Sequence, residues 1–429
     1  TAVGTSAMAA TTTGGDNVAI GVSSLLANTT GTDNVAVGKG ALAANTTAVG
    51  NTAIGASALA TNTTAVGNTG VGYNVMYSNT SGSSNTSVGY NSLFANTTGA
   101  NNTVVGRDAL DANTTGGANT AVGANSLTAN TTANYNTAVG DSTLAVNTTG
   151  AGNTACGTYA LVSNTTASNN TAVGYASLDA NTTGGDNTAV GKGALSAITT
   201  SSNNTAVGVN ALLVNTTDNN TAFGAFAMAA TTTGTGNVAV GISALDTNTT
   251  GAYNTAIGQN ALTANTTANN NTAVGMSSQA ATTTGANNVS MGSYSLGTNT
   301  TGHRNTGIGE SCLRYNTTGF RNTAMGANSL TANTTASYNT AIGQIAMEAN
   351  TEGHSNTALG YAALNAVTTG DNNIAVGYNA GNASQPGGAI TTGDNLICLG
   401  DANITAAHIQ VDWTIASDKR DKTDVEPMD

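Results

Sequence analysis

Cationic and aromatic side chains come together in one short interval of this chain. The interval contains His303, Arg304, Arg314, Tyr315, Phe320 and Arg321. Arg304 and Arg321 are 17 residues apart and each stands five residues before a glycine, so we expect them to stack on one edge of a repeating structure. Cations beside aromatic rings at a surface can bind an anionic sugar or stack on a sugar ring. They can equally be solvated surface residues, and the sequence leaves both interpretations open.

Other residues that could do chemistry are few and scattered. The 21 Asp and Glu residues do not recur in the facing pairs that glycosidic cleavage requires. Cys156, Cys312 and Cys398 show no paired spacing, and His303, His354 and His408 form no metal-binding pattern. We therefore predict no metal, no cofactor and no enzymatic activity on an external substrate. The thinly spread net charge of −12 argues against nucleic-acid binding, and no signal peptide or membrane span is evident.

A 17-residue repeat dominates the chain. Of its 54 glycines, 23 form a series from Gly4 to Gly377 in which every step is 17 residues, except the 16 between Gly208 and Gly224. The unit reads N-T-A-V-G-x-x-A-L-x-A-N-T-T-x-x-x, and we call its glycine the repeat glycine. The missing residue falls after the "NTT" of "VNTTDNNTAFG", so that segment is predicted to be a turn that can be shortened without a shift of register. Regular apolar rows argue against the disorder that low complexity often indicates.

The repeat unit is too short for a helical hairpin repeat, which needs about 33 residues or more. In "NTAVG" the β-branched residues lie two apart, and in "SLTAN" a leucine alternates with a freely varying residue, so both segments predict strands. The "NTT" segment and the next three residues predict a corner, and the repeat glycine predicts a tight bend or a positive φ. Two short strands and two corners per unit predict an all-β parallel solenoid, or β-roll, of about 23 coils.

An asparagine stands four residues before the repeat glycine in all 22 units that contain the position. The row includes Asn17, Asn34, Asn119, Asn136, Asn220 and Asn373. Stacked coils would place these amides about 4.8 Å apart, so that each can bond the next along the axis. We therefore expect a structural asparagine ladder, with a ligand-binding row as the alternative. Steps of this size predict a rod on the order of 105 Å long.

The predicted core is thin. Each coil offers one Val or Ile before the repeat glycine and one Leu four residues after it, and Cys156 replaces the valine in its unit. Small cores usually need reinforcement, commonly by oligomerisation. Neither face of the "TAVG" strand varies freely, so we expect one face to line the coil and the other to pack on sister chains. A cyclic homotrimer is the closed arrangement that suits a fibre.

The "NTAVG…NTAIG" runs resemble the head repeats of trimeric autotransporter adhesins. That resemblance implies a left-handed parallel β-roll shared by three chains, although the usual unit there is shorter and no membrane-anchor strands are evident here. Longer "NTAVGxxALxxNTTGxxN" arrays are similar to those of bacteriophage tail fibres. The phage resemblance implies an extracellular location on the virion tail. It also implies other virion tail proteins as partners and a bacterial surface glycan or protein as receptor.

The segment "SDKRDK", residues 417–422, follows the repeat array and the only tryptophan of the chain. It resembles the start of the intramolecular chaperone domain at the C-terminus of phage fibres and endosialidases. In that family the domain trimerises the fibre and then cuts itself off, which implies Ser417 as nucleophile, Lys422 as base and Ala416–Ser417 as the scissile bond. A lysine near a hydroxyl can act as a base if burial lowers its pKa. The alternative is a charged helix start with Ser417 as its N-cap.

These patterns divide the chain into three parts: a repeat shaft at 1–380, a transition region at 381–416 and the beginning of a chaperone domain at 417–429. The family would continue well beyond Asp429, so self-cleavage is expected only in a longer precursor. The start within a repeat unit likewise predicts additional upstream sequence.

Three functional interpretations follow from the sequence. The first is a trimeric structural rod of a phage tail, which provides reach and attachment to the bacterial host surface. The second is an ice-binding or bacterial surface adhesin solenoid, because stacked "NTT" corners would make regular threonine rows; these rows lapse at "NTSG" (79–82) and "NTEG" (350–353). The third is a polysaccharide depolymerase, which the sparse acidic residues disfavour.

Overall fold

The protein is an all-β parallel solenoid, as the repeat predicts. The computed structural model describes residues 1–382 and 388–405, and this part of the chain contains 24 strands and no helix, wound into about 22 coils. Each strand pairs in parallel with the next one along the chain, so that the strands form one continuous sheet along the axis.

Every strand ends directly before a glycine, and all but the first have three residues. In chain order they are β1 Ala2–Val3, β2 Val18–Ile20, β3 Val35–Val37, β4 Thr52–Ile54, β5 Thr69–Val71, β6 Thr86–Val88, β7 Thr103–Val105, β8 Thr120–Val122, β9 Thr137–Val139, β10 Thr154–Cys156, β11 Thr171–Val173, β12 Thr188–Val190, β13 Thr205–Val207, β14 Thr221–Phe223, β15 Val238–Val240, β16 Thr255–Ile257, β17 Thr272–Val274, β18 Val289–Met291, β19 Thr306–Ile308, β20 Thr323–Met325, β21 Thr340–Ile342, β22 Thr357–Leu359, β23 Ile374–Val376 and β24 Ile397–Leu399.

Strand pairing keeps the repeat in register along the sheet. Residues 120–122 of β8 lie opposite residues 137–139 of β9. The 16-residue unit does not shift the register, because residues 205–207 still pair with residues 221–223 and the shortening falls in the turn between them. The 17-residue spacing ends after Gly377, but β24 continues the sheet, with Ile397 opposite Ile374.

Our prediction of a second strand in each unit is wrong. Residues 124–129, which include most of one "SLTAN" segment, form turns, and Asn125 and Leu127 both have a φ of 53° there. This left-handed conformation costs a non-glycine residue about 1–2 kcal/mol. The segment still bonds along the axis as a strand would, because the Leu127 N–H donates to the Thr143 carbonyl at 3.0 Å. Hydrogen bonds between coils and burial of the leucine side chain therefore offset the backbone cost.

Alanine and leucine fill the interior. Our expectation that the valines lie in the core is wrong. Ala121 and Leu127 are fully buried, whereas Val139 is 37% exposed. The reason is strand alternation: the alanine side chain points inward, so the residues on either side of it point outward. Cys156, which we also expected in the core, belongs to the outward row and is exposed.

One coil replaces apolar core residues with polar ones. One apolar cluster ends at Ala273, and the next begins at Leu296. Between them Gln279 takes the position of the leucine and is fully buried. Its Nε2 donates to the Thr272 carbonyl at 2.9 Å and to Ser290 Oγ at 2.8 Å. The solenoid therefore continues through this coil on side-chain hydrogen bonds instead of apolar contacts.

Larger residues should not be tolerated at the repeat glycines. Gly258 has a φ of +129°, and a Cβ added to it would lie 2.6 Å from the carbonyl oxygen of Gly275 in the next coil. We predict that Gly258→Ala lowers the free energy of unfolding by about 3 kcal/mol or more, because it combines a disfavoured φ with a backbone clash. Urea denaturation followed by circular dichroism measures this loss.

Gly15→Ala is the matched control, since a Cβ at Gly15 would meet no atom within 4 Å. Its free energy of unfolding should stay within about 0.5 kcal/mol of the parent value. Equal losses in the two variants would contradict the close approach of glycines in successive coils.

Candidate functional site

A buried row of asparagines runs along the inside of the solenoid, one directly before each strand from β2 to β23. We call these residues the inner asparagines. The row contains Asn17, Asn34, Asn119, Asn136, Asn220 and Asn373, each at most 3% exposed. From coil to coil, the backbone N–H of one asparagine donates to Oδ1 of the previous one, at 2.8–3.0 Å in 21 successive pairs. The Nδ2 group also bonds within the fold, as Asn119 does to the Ala133 carbonyl at 2.9 Å. The amides of this row therefore hold the coils together.

A second asparagine row runs alongside the first, and the sequence analysis assigned it only to corner chemistry. Its members open the "NTT" segments. Asn45 Nδ2 donates to Asn28 Oδ1 at 2.9 Å, and Asn28 Nδ2 donates to the Gly31 carbonyl at 3.1 Å. The side-chain bonds continue without a break from Asn28 to Asn181. The 17-residue recurrence of this asparagine is the signal that could have revealed the row.

Interruptions of the second row leave polar atoms unpaired. Three asparagines of this row have a buried Oδ1 atom with no hydrogen-bond partner: Asn181, Asn265 and Asn350. In the following coils the equivalent positions hold Ile198, Thr282 and Val367, respectively. An unsatisfied buried acceptor costs about 1–3 kcal/mol. The solenoid therefore carries a local energetic cost at each of these breaks.

Repairing one interruption should stabilise the solenoid. We predict that Thr282→Asn raises the free energy of unfolding by about 1–2 kcal/mol, because the new amide can donate to Asn265 Oδ1 and accept from Asn299 Nδ2. Thr284→Asn, at an exposed position of the same coil, is the control and should change stability by less than about 0.5 kcal/mol. If thermal unfolding shows the two variants to be equally stable, the unpaired oxygen does not have the energetic role that we assign to it.

The outward side of the sheet carries two uncharged rows, one mainly of threonine and one almost wholly of apolar residues. We call it the outer sheet face and define it as the first and third residues of strands β2–β24. These positions hold threonine, cysteine or an apolar residue and never a charged one. In the third position Phe223 is 43% exposed and Leu359 is 46% exposed. Strands about 4.8 Å apart extend both rows of this face over roughly 105 Å.

The predicted cation–aromatic group divides between two places, of which the first is an edge beside the strands. His303 and Phe320 stack with ring centroids 5.0 Å apart and an interplanar angle of 5°, and Tyr338 meets Phe320 edge-on at 5.2 Å. Arg321 Nη1 donates to Tyr338 Oη at 3.0 Å. Arg304 occupies the position of Arg321 in the preceding coil. We call His303, Arg304, Phe320, Arg321 and Tyr338 the arginine edge.

The other two predicted residues, Arg314 and Tyr315, lie in the turn segment that follows a repeat glycine. Arg314 lies over the Tyr294 ring at 4.9 Å and over the Tyr315 ring at 5.4 Å. Sequence reasoning missed both Tyr338 and Tyr294. Tyr338 could have been found, because it follows Arg321 by 17 residues. Tyr294 precedes Arg314 by 20 residues, which does not fit the repeat.

The remaining sequence predictions concern self-cleavage, metal binding and membrane spans. Ser417 and Lys422 lie outside them, so their roles in self-cleavage stay predictions. Within residues 1–382 and 388–405, no three His, Cys, Asp or Glu side chains group closely enough to hold a metal ion. The same residues include no helix with the length and apolar character needed to cross a membrane.

Comparison with known proteins adds no assignment, since no protein-family model and no curated protein matches this chain. Its function is therefore inferred from the outer sheet face and the arginine edge. The resemblance of its repeats to those of fibre proteins supplies the biological context.

Proposed function

We propose that this chain is the shaft of a homotrimeric phage tail fibre, which extends from the virion and attaches to the bacterial host surface. The outer sheet face carries this proposal. Its side chains point away from the interior in strand after strand, and they are apolar or threonine with a single cysteine. Long rows of exposed apolar side chains on a protein surface favour a contact site between proteins. A structural rod with a long contact surface is therefore the role that this fold suits best.

Further copies of the same chain are the partners that suit the outer sheet face. The rows of this face repeat once per coil, so a partner needs side chains at the same axial spacing to contact all of them. Three parallel copies related by a three-fold axis meet this condition and cover every outer sheet face. Obligate interfaces are more apolar than other protein surfaces, which agrees with the uncharged first and third positions of β2–β24.

The phage assignment is supported by the resemblance of the repeats and of "SDKRDK" to phage fibre sequences. On this proposal the chain joins other virion tail proteins and contacts a glycan or protein receptor on the bacterium. In a longer precursor, after the chaperone has brought three chains together, Ser417 Oγ would attack the Ala416 carbonyl carbon with Lys422 as base. The Ala416–Ser417 C–N bond would break to leave an ester and the Ser417 amine, and water would then hydrolyse the ester. The released fibre would then end at Ala416.

An ice-binding solenoid is the second candidate, because threonines also form regular rows. The second threonine of "NTT" is exposed in coil after coil, as at Thr115 and Thr132. The first threonine is less available, since Thr114 Oγ1 donates to the Thr131 carbonyl at 3.0 Å. One free row remains at the corner, and Glu352 interrupts it. Thermal hysteresis of the purified chain would favour this candidate over the fibre.

A polysaccharide depolymerase has less support. Burial raises the pKa of the carboxyl groups of Asp111, Asp179 and Asp246, a change that suits a general acid. These three residues stand four coils apart, or about 19 Å, whereas the two carboxyl groups of a glycosidase are roughly 5–10 Å apart. The nearby carboxylate of Asp108 also raises the pKa of Asp111. However, Asp108 is itself ion-paired, with its Oδ2 3.1 Å from Arg107 Nη1.

The native cysteines provide a test of the trimer. Cys156 is exposed in the third position of β10, whereas Cys312 is buried, and burial raises the pKa of its thiol to about 11. In three parallel copies in register, the Cys156 side chains lie at the same height on facing surfaces. We predict a native mass three times the 41.7 kDa of the chain. We also predict disulfide-linked dimers after mild oxidation of a Cys398→Ser variant.

Further substitutions in the Cys398→Ser background serve as controls. Cys156→Ser should abolish the covalent dimers, and adding Val139→Cys, one coil earlier in the same row, should restore them. Thr132→Cys at an exposed corner should not restore them. The proposal is contradicted by the native mass of a single chain, or by cross-linking that is equally efficient at positions 132 and 139.

A further inference from the structure

The arginine edge carries large side chains at a position that short residues or glycine hold in most other coils, with Tyr135 and Tyr253 as isolated exceptions. The residue five before the glycine has a positive φ in coil after coil, and it is usually Asn, Asp, Gly or Ser. Short polar side chains and glycine tolerate this conformation best. In three successive coils it is instead held by Arg304, Arg321 and Tyr338, with φ values of 57°, 55° and 62°. All three side chains are exposed, so packing does not explain their presence.

The arginines of this edge also lack acidic partners. Among residues 1–382 and 388–405, the one ion pair joins Arg107 to Asp108. Arg304 and Arg321 therefore stand one coil apart, about 4.8 Å along the axis, with no carboxylate within ion-pairing distance. Like charges at this spacing repel each other, and an anion between them would relieve the repulsion. Arginine also presents a planar fork of N–H donors that matches a carboxylate.

The rings beside these arginines supply an apolar contact surface. His303 and Phe320 stack almost in parallel, and the Tyr338 ring stands across the end of this stack. The hydrogen bond from Arg321 to Tyr338 Oη fixes the guanidinium next to the rings. The surface follows the fibre axis over three coils, so it suits a ligand that is itself extended. A sugar chain has both the apolar ring faces and the extended shape that such a surface can contact.

We propose that the arginine edge binds a carboxylated saccharide, such as a stretch of an acidic surface polysaccharide. Its carboxylates accept hydrogen bonds from Arg304 and Arg321, and its sugar rings pack on Phe320 and Tyr338. This inference rests on the proposed role in attachment and names the class of receptor that this part of the shaft contacts.

Binding of defined sugars to the full chain tests this inference. Isothermal titration calorimetry would use a hexamer of a hexuronic acid, a hexamer of sialic acid and neutral maltohexaose as probes. We expect at least one acidic hexamer to bind and maltohexaose not to bind. Arg321→Gln should weaken binding about tenfold or more, because it removes a charged donor. Phe320→Ala should also weaken it, because it removes the ring surface.

Arg107→Gln is the matched control, since Arg107 lies on a distant coil and should not affect binding. The inference is overturned if neither acidic hexamer binds, if maltohexaose binds equally well, or if Arg321→Gln leaves the affinity unchanged. Measurement of the native mass distinguishes a failure of this sugar-binding inference from a failure of the proposed fibre. A trimer without sugar binding would remove only the inference about the arginine edge, whereas a monomer would remove the fibre shaft.

Discussion

The hydrogen bond from one buried asparagine to the next is the interaction on which this solenoid depends. Each coil contributes little apolar volume, essentially an alanine such as Ala121 and a leucine such as Leu127. The peptide N–H of each inner asparagine is buried, and a buried donor without an acceptor destabilises the fold. Oδ1 of the preceding asparagine supplies that acceptor at 2.8–3.0 Å in coil after coil. The shortened unit keeps this bond, since the Asn220 N–H still donates to Asn204 Oδ1 at 3.0 Å.

This arrangement departs in part from the usual placement of polar and apolar groups, because asparagines share the interior with alanine and leucine. Amides lie inside, where hydrogen bonds along the axis satisfy them, and valines such as Val139 lie outside. The inner face of each strand carries a buried residue, usually alanine, next to the buried asparagine. A single chain built this way leaves the valine row of its strands exposed. On the fibre proposal, sister chains cover that row, and the thin core of each chain is supplemented by a shared one.

Much of the fold could be predicted from the sequence because each unit repeats the same information. The spacing of the repeat glycines gives the coil length, and the shortened unit before Gly224 locates a turn. The role of Leu127 in a left-handed turn could not be predicted, since leucine has no local preference for a positive φ. Nor could the outward position of Val139, because in a three-residue strand the inner and outer faces both carry small or β-branched residues. The 17-residue spacing related Arg304 to Arg321 at the arginine edge. It could not reveal the contact of Arg314 with Tyr294 in the turn segments, because these two residues hold different positions of the repeat.

Removal of one inner asparagine tests the central claim most directly. Asn119 Oδ1 accepts the Asn136 N–H at 3.0 Å in the middle of the sheet. In Asn119→Ala that buried donor loses its acceptor, so the free energy of unfolding should fall by about 2–3 kcal/mol, whereas Thr132→Ala at an exposed corner should change it by less than about 0.5 kcal/mol. Urea denaturation of the two variants measures the difference. Equal stability of the two would show that the inner asparagines do not hold the coils together.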